Sequence, residues 1–388
     1  MSVDFYWRIP TGGDKGDIRT PFLNRGDFAA TRRASLAPGL RAADPDDTTY
    51  IDHMGDIARA AEVSGFYGAL LPSFPVTDDP WVISPALARE TKTLRFMIAF
   101  QPGFLDPLHA ARMSASFQRL SGGRLVYNII SGGGGAGQLW WGDKIAHDDR
   151  YVRTGEFLDV LKGVWKRRPY SFDGRFFQVE GAGLPDALAA TDFPEIYFSG
   201  SSDAAIAAAG RHSDYYLSWL EPFADLKAKF EQVAARSEIE GRSAKFAVRV
   251  DILARPTEEE AWAVARSAWD SIDPKAREEW YFAGGGGDSV GAARQAGFRL
   301  NSTEPFDELV VAPNLWGGFS LLRPGPSIGI VGDYANAAER LNDLIELGVD
   351  AFILAGSPHL EEAYRVGEEV LPLVQPRRRA APPLVAAV

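Results

Sequence analysis

Two groups of residues in this sequence have the types and spacing for chemistry. The first is Ile196-Tyr-Phe-Ser-Gly-Ser-Ser-Asp203, where an apolar run short enough for a buried strand breaks at Ser199-Gly200-Ser201-Ser202 and enters an alanine-rich helix. The turn stands at a helix N-terminus. Backbone N–H groups there lack intrahelical partners, Gly200 permits close approach and the hydroxyls of Ser201 and Ser202 add donors, so an anion, first of all a phosphate, is the natural guest. The plainer reading is that Ser202 caps the helix and Gly200 makes the turn. The second group is Trp219, Arg249, Asp251, Arg323 and His359. Arg249 and Asp251 stand two positions apart and so face one side of a strand. They either pair with each other or present a guanidinium, the side chain best built for an oxyanion, to a substrate. Asn128 and Ser131 add a third possibility, because Gly132 to Gly135 follow and bare backbone there lets a planar ring lie flat. Asp149-Arg150-Tyr151 opens the next helix, where the Tyr151 hydroxyl and Arg150 can reach a phosphate.

Several chemistries lose their support. The five histidines, His53, His109, His147, His212 and His359, show no metal-ligand spacing. The string Gly-x-Ser-x-Gly occurs as Gly287-Asp-Ser-Val-Gly291 and Gly325-Pro-Ser-Ile-Gly329, neither of them after a predicted strand as a nucleophile elbow requires, and no Walker-type Gly-Lys-Ser/Thr occurs. There is no cysteine, hence no thiolate nucleophile and no disulfide framework. A net charge of −11 argues against a nucleic-acid surface, and Arg377-Arg378-Arg379 lies in a Pro/Ala-rich tail. The first residues lack the basic-then-apolar pattern of a signal peptide, and no apolar run approaches a membrane span, which fits a cytoplasmic protein without a membrane partner.

The elements that must position these residues alternate along the chain. Strands are predicted at Val3–Ile9, Gly68–Pro72, Leu94–Gln101, Arg124–Ile130, Glu195–Ser199, Tyr215–Trp219, Phe246–Ala254 and Ala351–Ala355, with helical patterns between them. Eight such strands predict a closed (β/α)8 TIM barrel. A doubly wound sheet ranks second, because no Gly-x-Gly-x-x-Gly follows the first strand. In a barrel the chemistry sits at the C-terminal strand ends, a rule that selects Arg8, Ser73, Gln101, Ser131, Ser199 to Ser202, Trp219, Arg249, Asp251 and Gly356 to His359. The reading is one domain over 1–376 with a tail at 377–388 and two insertions. One, at about 11–49, carries Arg19, Arg25, Arg32, Arg33 and Arg41; the other, at about 271–333, contains Gly284 to Gly287 and suits a ligand-covering lid or an inert loop.

At these residues a resemblance enters. Asn314-Leu-Trp-Gly-Gly-Phe-Ser-Leu-Leu-Arg323, Val331-Gly-Asp333, Pro358-His-Leu-Glu-Glu-Ala-Tyr-Arg-Val-Gly-Glu368 and Phe198-Ser-Gly-Ser-Ser-Asp203 resemble the flavin-dependent alkanesulfonate monooxygenases of the bacterial luciferase-like superfamily. Phe5-Tyr-Trp7, Asp52-His53, Leu120-Ser-Gly-Gly-Arg124, Arg150-Tyr151 and Trp219 with Glu221-Pro222 extend the match through almost the whole chain. The resemblance implies a luciferase-like barrel that binds reduced FMN (FMNH2) supplied by a separate NAD(P)H-dependent flavin reductase. It implies O2 as co-substrate, cleavage of a sulfonate to sulfite and an aldehyde, and a homodimer or homotetramer. On this match Ser201 and Ser202 hold the FMN phosphate; the reading of the residues adds Gly200 and Tyr151 to that site and sets Thr77, Asn128 and Ser131 at the border of the flavin ring. Arg249, Arg323, Trp219 and His359 serve the substrate or loop closure, and Asp251 orients Arg249 or acts as a base.

Three positions depart from that pattern. Thr77 stands where the sulfonate enzymes carry a cysteine, Asp251 where they carry a histidine and Ser357 where they carry a tyrosine. A carboxylate at position 251 repels a sulfonate unless Arg249 or Arg323 offsets it. The expected substrate is a small organosulfonate, with an uncharged sulfone, an amine or a heterocycle as the alternative on the same fold, and a deazaflavin-dependent dehydrogenase behind both.

Overall fold

The computed structural model describes residues 3–11, 50–74, 77–275, 287–298, 306–323 and 325–375. Eight parallel strands close into a barrel: β1 (Asp4–Arg8), β2 (Gly68–Leu71), β3 (Arg95–Phe100), β4 (Leu125–Ile129), β5 (Ile196–Ser199), β6 (Tyr215–Trp219), β7 (Lys245–Arg255) and β8 (Ala351–Ala355). Each pairs with the next, and β8 returns to β1 through Asp4 opposite Ala351 and Trp7 opposite Leu354. All eight coincide with the predicted strands to within one residue at each end, because each is a short apolar run buried on both faces, as strands of a parallel barrel are. Tyr6, Met97, Val126, Tyr197, Tyr215 and Ala247 fill the interior, while Trp7, Phe96, Tyr127, Phe198 and Val248 pack outwards against the helices. The interior is tight. Tyr197 stacks on Tyr215 at 4.3 Å with Tyr6 edge-on to Tyr197 at 5.7 Å, and a Cβ added to Gly68 would stand 2.6 Å from the Tyr6 ring.

The surrounding helices begin at legible signals. Asp79 caps Pro80–Glu90, Asp106 caps Pro107–Ser121, Ser202 caps Asp203–His212, and Thr257 with Glu260 forms a capping box on Glu258–Asp270. None of the described helices is long and apolar enough to cross a membrane.

The region 271–333 differs from the expected insertion loop. Strand Gly329–Asp333 pairs in parallel with the outer half of β7, and Leu315–Trp316 and Val310–Ala312 continue outwards as an antiparallel meander. A separate cluster of Trp269, Phe306, Trp316 and Phe319 packs this extension. Helix Val290–Gly297 also lies within it, capped by Ser289. Of the four-glycine run only Gly287 is among the described residues, and the arginine-rich insertion, with Arg19, Arg25, Arg32, Arg33 and Arg41, lies outside them, as does the tail. A hairpin of Tyr170–Asp173 and Gln178–Ala182, not anticipated from sequence, follows helix His147–Lys166.

His212 ties the helix Asp203–His212 to His147–Lys166. It is 2% exposed, and Gly155 makes room for it, since a Cβ there would stand 3.3 Å from its Nε2. Burial, with Lys162, Arg211 and Arg242 nearby, pulls its pKa from the ordinary 6.5 to about 3. The unfolded chain therefore takes up this proton first as pH falls, so stability is lost below about pH 6.5 and continues to fall towards the folded pKa. At pH 5 the expected loss is about 2 kcal/mol, measured as the change in urea-denaturation free energy from pH 7. His212→Gln is expected to flatten that part of the profile.

Candidate active site

The barrel's C-terminal end gathers the predicted residues in two patches. At the end of β5, Gly200 adopts φ +144°, and a Cβ there would stand 2.5 Å from the Ala205 side chain and 2.9 Å from the Tyr151 hydroxyl. Only glycine keeps this turn. The Ser202 hydroxyl accepts from the Ala205 N–H at 3.2 Å, so the capping role is real. The Ser201 side chain hydrogen-bonds Tyr216, and the first backbone N–H groups of the helix are left without intrahelical partners. Tyr216 donates to the Gly200 carbonyl at 2.6 Å and braces the loop from outside the barrel. Burial raises the Tyr151 pKa, a hydrogen bond with Ser202 opposes that rise, and the phenol remains a donor at neutral pH. Above the loop sits the helix Val290–Gly297, with a Cβ on Gly291 placed 3.6 Å from Ser201 Oγ and 3.9 Å from Ser289 Oγ. Two helix N-termini thus meet at Ser201, and both favour an anion.

Beside this cradle, β4 ends in Asn128 and leads to Ser131, both buried. Ser131 accepts from Thr154 at 3.0 Å, whereas Asn128 Oδ1 is a buried acceptor with no hydrogen bond among the described residues. An orphaned amide oxygen at the mouth of a barrel asks for a ligand N–H or O–H, and the ring N–H of a flavin fits that demand. Gly132, Gly134 and Gly135 all have positive φ, and the loop folds against Arg150, which pairs with Asp288 and donates to the Ile145 carbonyl at 3.0 Å. Thr77 lies on the loop after β2, with its hydroxyl 3.2 Å from both the N–H and the carbonyl of Phe74.

The second patch is charged. Arg249 sits opposite Trp219 on β6 and Ile353 on β8, and Asp251 sits opposite Ala355 and Gly329, at the point where the extension leaves the barrel. Asp251 Oδ1 accepts from Arg249 Nη2 at 3.1 Å and also pairs with Arg323, which follows helix Phe319–Leu322. All three residues are at most 5% exposed. The pairing left open by the spacing is therefore present, with a second arginine added from the extension. His359 is fully buried, lies 3.2 Å from Arg8 Nη1 through its Nε2, and accepts the Trp7 indole N–H on its carbonyl at 3.1 Å. Trp219 remains 39% exposed at the rim.

The sequence profile described as luciferase-like monooxygenase matches residues 31–351. The chain belongs to the luciferase-like monooxygenase family. Solved structures share the fold. They include a riboflavin lyase (RcaE) with modified FMN and the substrate riboflavin, at 19% identity and TM-score 0.74 over 96% of this chain and 91% of that one. An EDTA monooxygenase (EmoA) from Chelativorans sp. BNC1 follows at 20% and 0.69, over 96% and 94%. An F420-dependent secondary alcohol dehydrogenase with an F420-acetone adduct is similar at 15% and 0.65, over 97% and 100%. At these identities the likeness is one of fold, and the proteins named differ in chemistry.

In this luciferase-like monooxygenase a cluster that sequence inspection missed pins the helix Val290–Gly297 to the barrel. Glu221, 2% exposed, accepts from Lys229 at 2.5 Å and from Arg294 Nη2 at 2.7 Å, and Gln295 donates to the Leu220 carbonyl at 3.0 Å. No local spacing announces a contact between residues 73 positions apart. Burial opposes ionisation of Glu221, but Arg294 and Lys229 outweigh it and hold the carboxyl below its usual range. Its stabilisation is therefore present at neutral pH and lost on acidification through that lowered pKa. Glu221→Gln leaves the buried Lys229 without its counter-charge, and a loss of about 3 kcal/mol in urea denaturation at pH 7 is expected.

Proposed function

We propose that this protein is a two-component monooxygenase that receives reduced FMN from a separate NAD(P)H-dependent reductase, consumes O2 and cleaves the C–S bond of a small organosulfonate. The observation that carries this reading is the adjacency of an anion cradle with a buried, unpartnered acceptor, Asn128 Oδ1, at the same barrel mouth as a paired-arginine site. Ser201, Ser202, Gly200 and Tyr151 would hold the phosphate, while Asn128, Ser131 and Thr77 would border the ring. When bound, the reduced flavin supplies two electrons to O2, one oxygen atom passing to the aldehyde product and the other to water as sulfite leaves.

The chain's own residues would orient the substrate. Arg249 and Arg323 face the sulfonate oxygens, and Asp251 fixes both guanidiniums through one oxygen. Its charge is thereby offset, which answers the objection that a carboxylate here repels a sulfonate. Trp219 shapes the rim, and Arg8 and Trp7 hold His359 in place. A substrate without an anionic group is the second reading, favoured by the same observation, since Asp251 already engages both arginines.

An anaerobic titration with reduced and oxidised FMN, followed by admission of O2 with a sulfonate panel, separates these readings. Tighter binding of reduced FMN with sulfite release is expected; O2 consumption without sulfite would favour the second reading, and absence of O2 consumption would end both. Arg249→Ala is expected to lower kcat/KM by about 10- to 100-fold, the loss of one charged hydrogen bond, at unchanged reduced-FMN affinity. Gly200→Ala is expected to do the reverse, weakening FMN binding by about tenfold or more through strain and the clash with Tyr151.

A further inference from the structure

We propose that Asp251 reads a hydrogen-bond donor on the substrate, so that the site takes a short sulfonate bearing a hydroxyl or ammonium group in preference to a plain alkanesulfonate. This rests on the sulfonate monooxygenase reading above and narrows its substrate class. Both arginines use the same oxygen of Asp251, Oδ1. Oδ2 is buried and accepts no hydrogen bond among the described residues, although the residue is only 1% exposed. An ionised carboxylate oxygen is a pure acceptor, and burying one without a donor is costly, so a missing donor marks a place for one. Ser357 Oγ is a second buried group without a partner there. It follows β8 by two residues, and the last residue of that strand, Ala355, lies opposite Asp251. Gly325 leaves the space of a side chain beside this pair, since a Cβ there would stand 3.9 Å from Asp251 Oδ2 and 3.6 Å from Arg323 Nη1.

The two halves of the site then read a dipolar ligand: the guanidiniums take the sulfonate, and Oδ2, with Ser357 just past the end of the neighbouring strand, takes an O–H or N–H. A same-length analogue without the donor leaves Oδ2 unpartnered in a desolvated site, which is how buried polar groups reject analogues that lack a hydroxyl.

The test is calorimetric binding to the wild-type protein with reduced FMN, kept anaerobic so that no turnover occurs. Ethanesulfonate is compared with hydroxyethanesulfonate and aminoethanesulfonate. At least about tenfold tighter binding of one or both donor-bearing sulfonates is expected. Ser357→Ala should shrink that ratio severalfold and Asp251→Asn should abolish any preference for the ammonium. The wild-type comparison stands even where Asp251→Asn fails to fold. Equal or tighter binding of ethanesulfonate overturns the inference while leaving the monooxygenase reading intact. Binding of no sulfonate by protein that has bound reduced FMN overturns both the inference and the sulfonate assignment, and failure to bind reduced FMN overturns the flavin reading itself.

Discussion

Strand β7 must satisfy its backbone against three partners, and the site depends on how it does so. Lys245 to Arg249 run beside β6, Ala247 to Asp251 beside β8, and Asp251 to Arg255 beside Gly329–Asp333. A strand that outgrows its barrel would otherwise leave a bare edge of N–H and C=O groups. Here the extension of residues 310–333 covers that edge. The position where the extension joins the barrel strands in one continuous sheet is Asp251, and the extension also delivers Arg323 to it. Closure of the barrel, docking of the extension and assembly of the charged patch are therefore one packing problem.

The anion cradle depends on a different kind of constraint. Ser202 caps its helix, Gly200 holds a conformation that a side chain would forbid, and Tyr151 and Tyr216 pack against the loop from two sides. Such a loop is held in one conformation before any ligand arrives, which lowers the ordering cost of binding. Helix Val290–Gly297 adds a second N-terminus from above and is held there by Glu221, Gln295 and the Arg150–Asp288 pair. The two patches thus share contacts with the described parts of the region 271–333: the Val290–Gly297 helix at the loop after β5 and Arg323 at Asp251.

Much of this was legible in the sequence, for physical reasons. The eight barrel strands announce themselves as short apolar runs between helical patterns, nearly all of their residues buried, and the helix Asp203–His212 by its Ser202 cap and its alanines. The short strands Leu315–Trp316 and Val310–Ala312 do not, because two or three residues hold a strand only when tertiary pairing supplies the partner. The i, i+2 spacing placed Arg249 and Asp251 on one face, but the arrival of Arg323 at the same carboxylate oxygen needs the folded extension. Likewise nothing local told that Asn128 Oδ1 and Asp251 Oδ2 would be buried without a donor among the described residues. Those orphaned atoms, more than the motif, bear on the ligand.

The central claim is that the loop after β5 is built for the phosphate of a flavin mononucleotide. Anaerobic equilibrium titration of the protein with reduced FMN and, in parallel, with reduced riboflavin, which lacks only the phosphate, tests it most directly. Binding of FMN about 100-fold tighter, with the difference removed by Ser201→Ala combined with Ser202→Ala, is the predicted result. Equal affinity for the two flavins would contradict it.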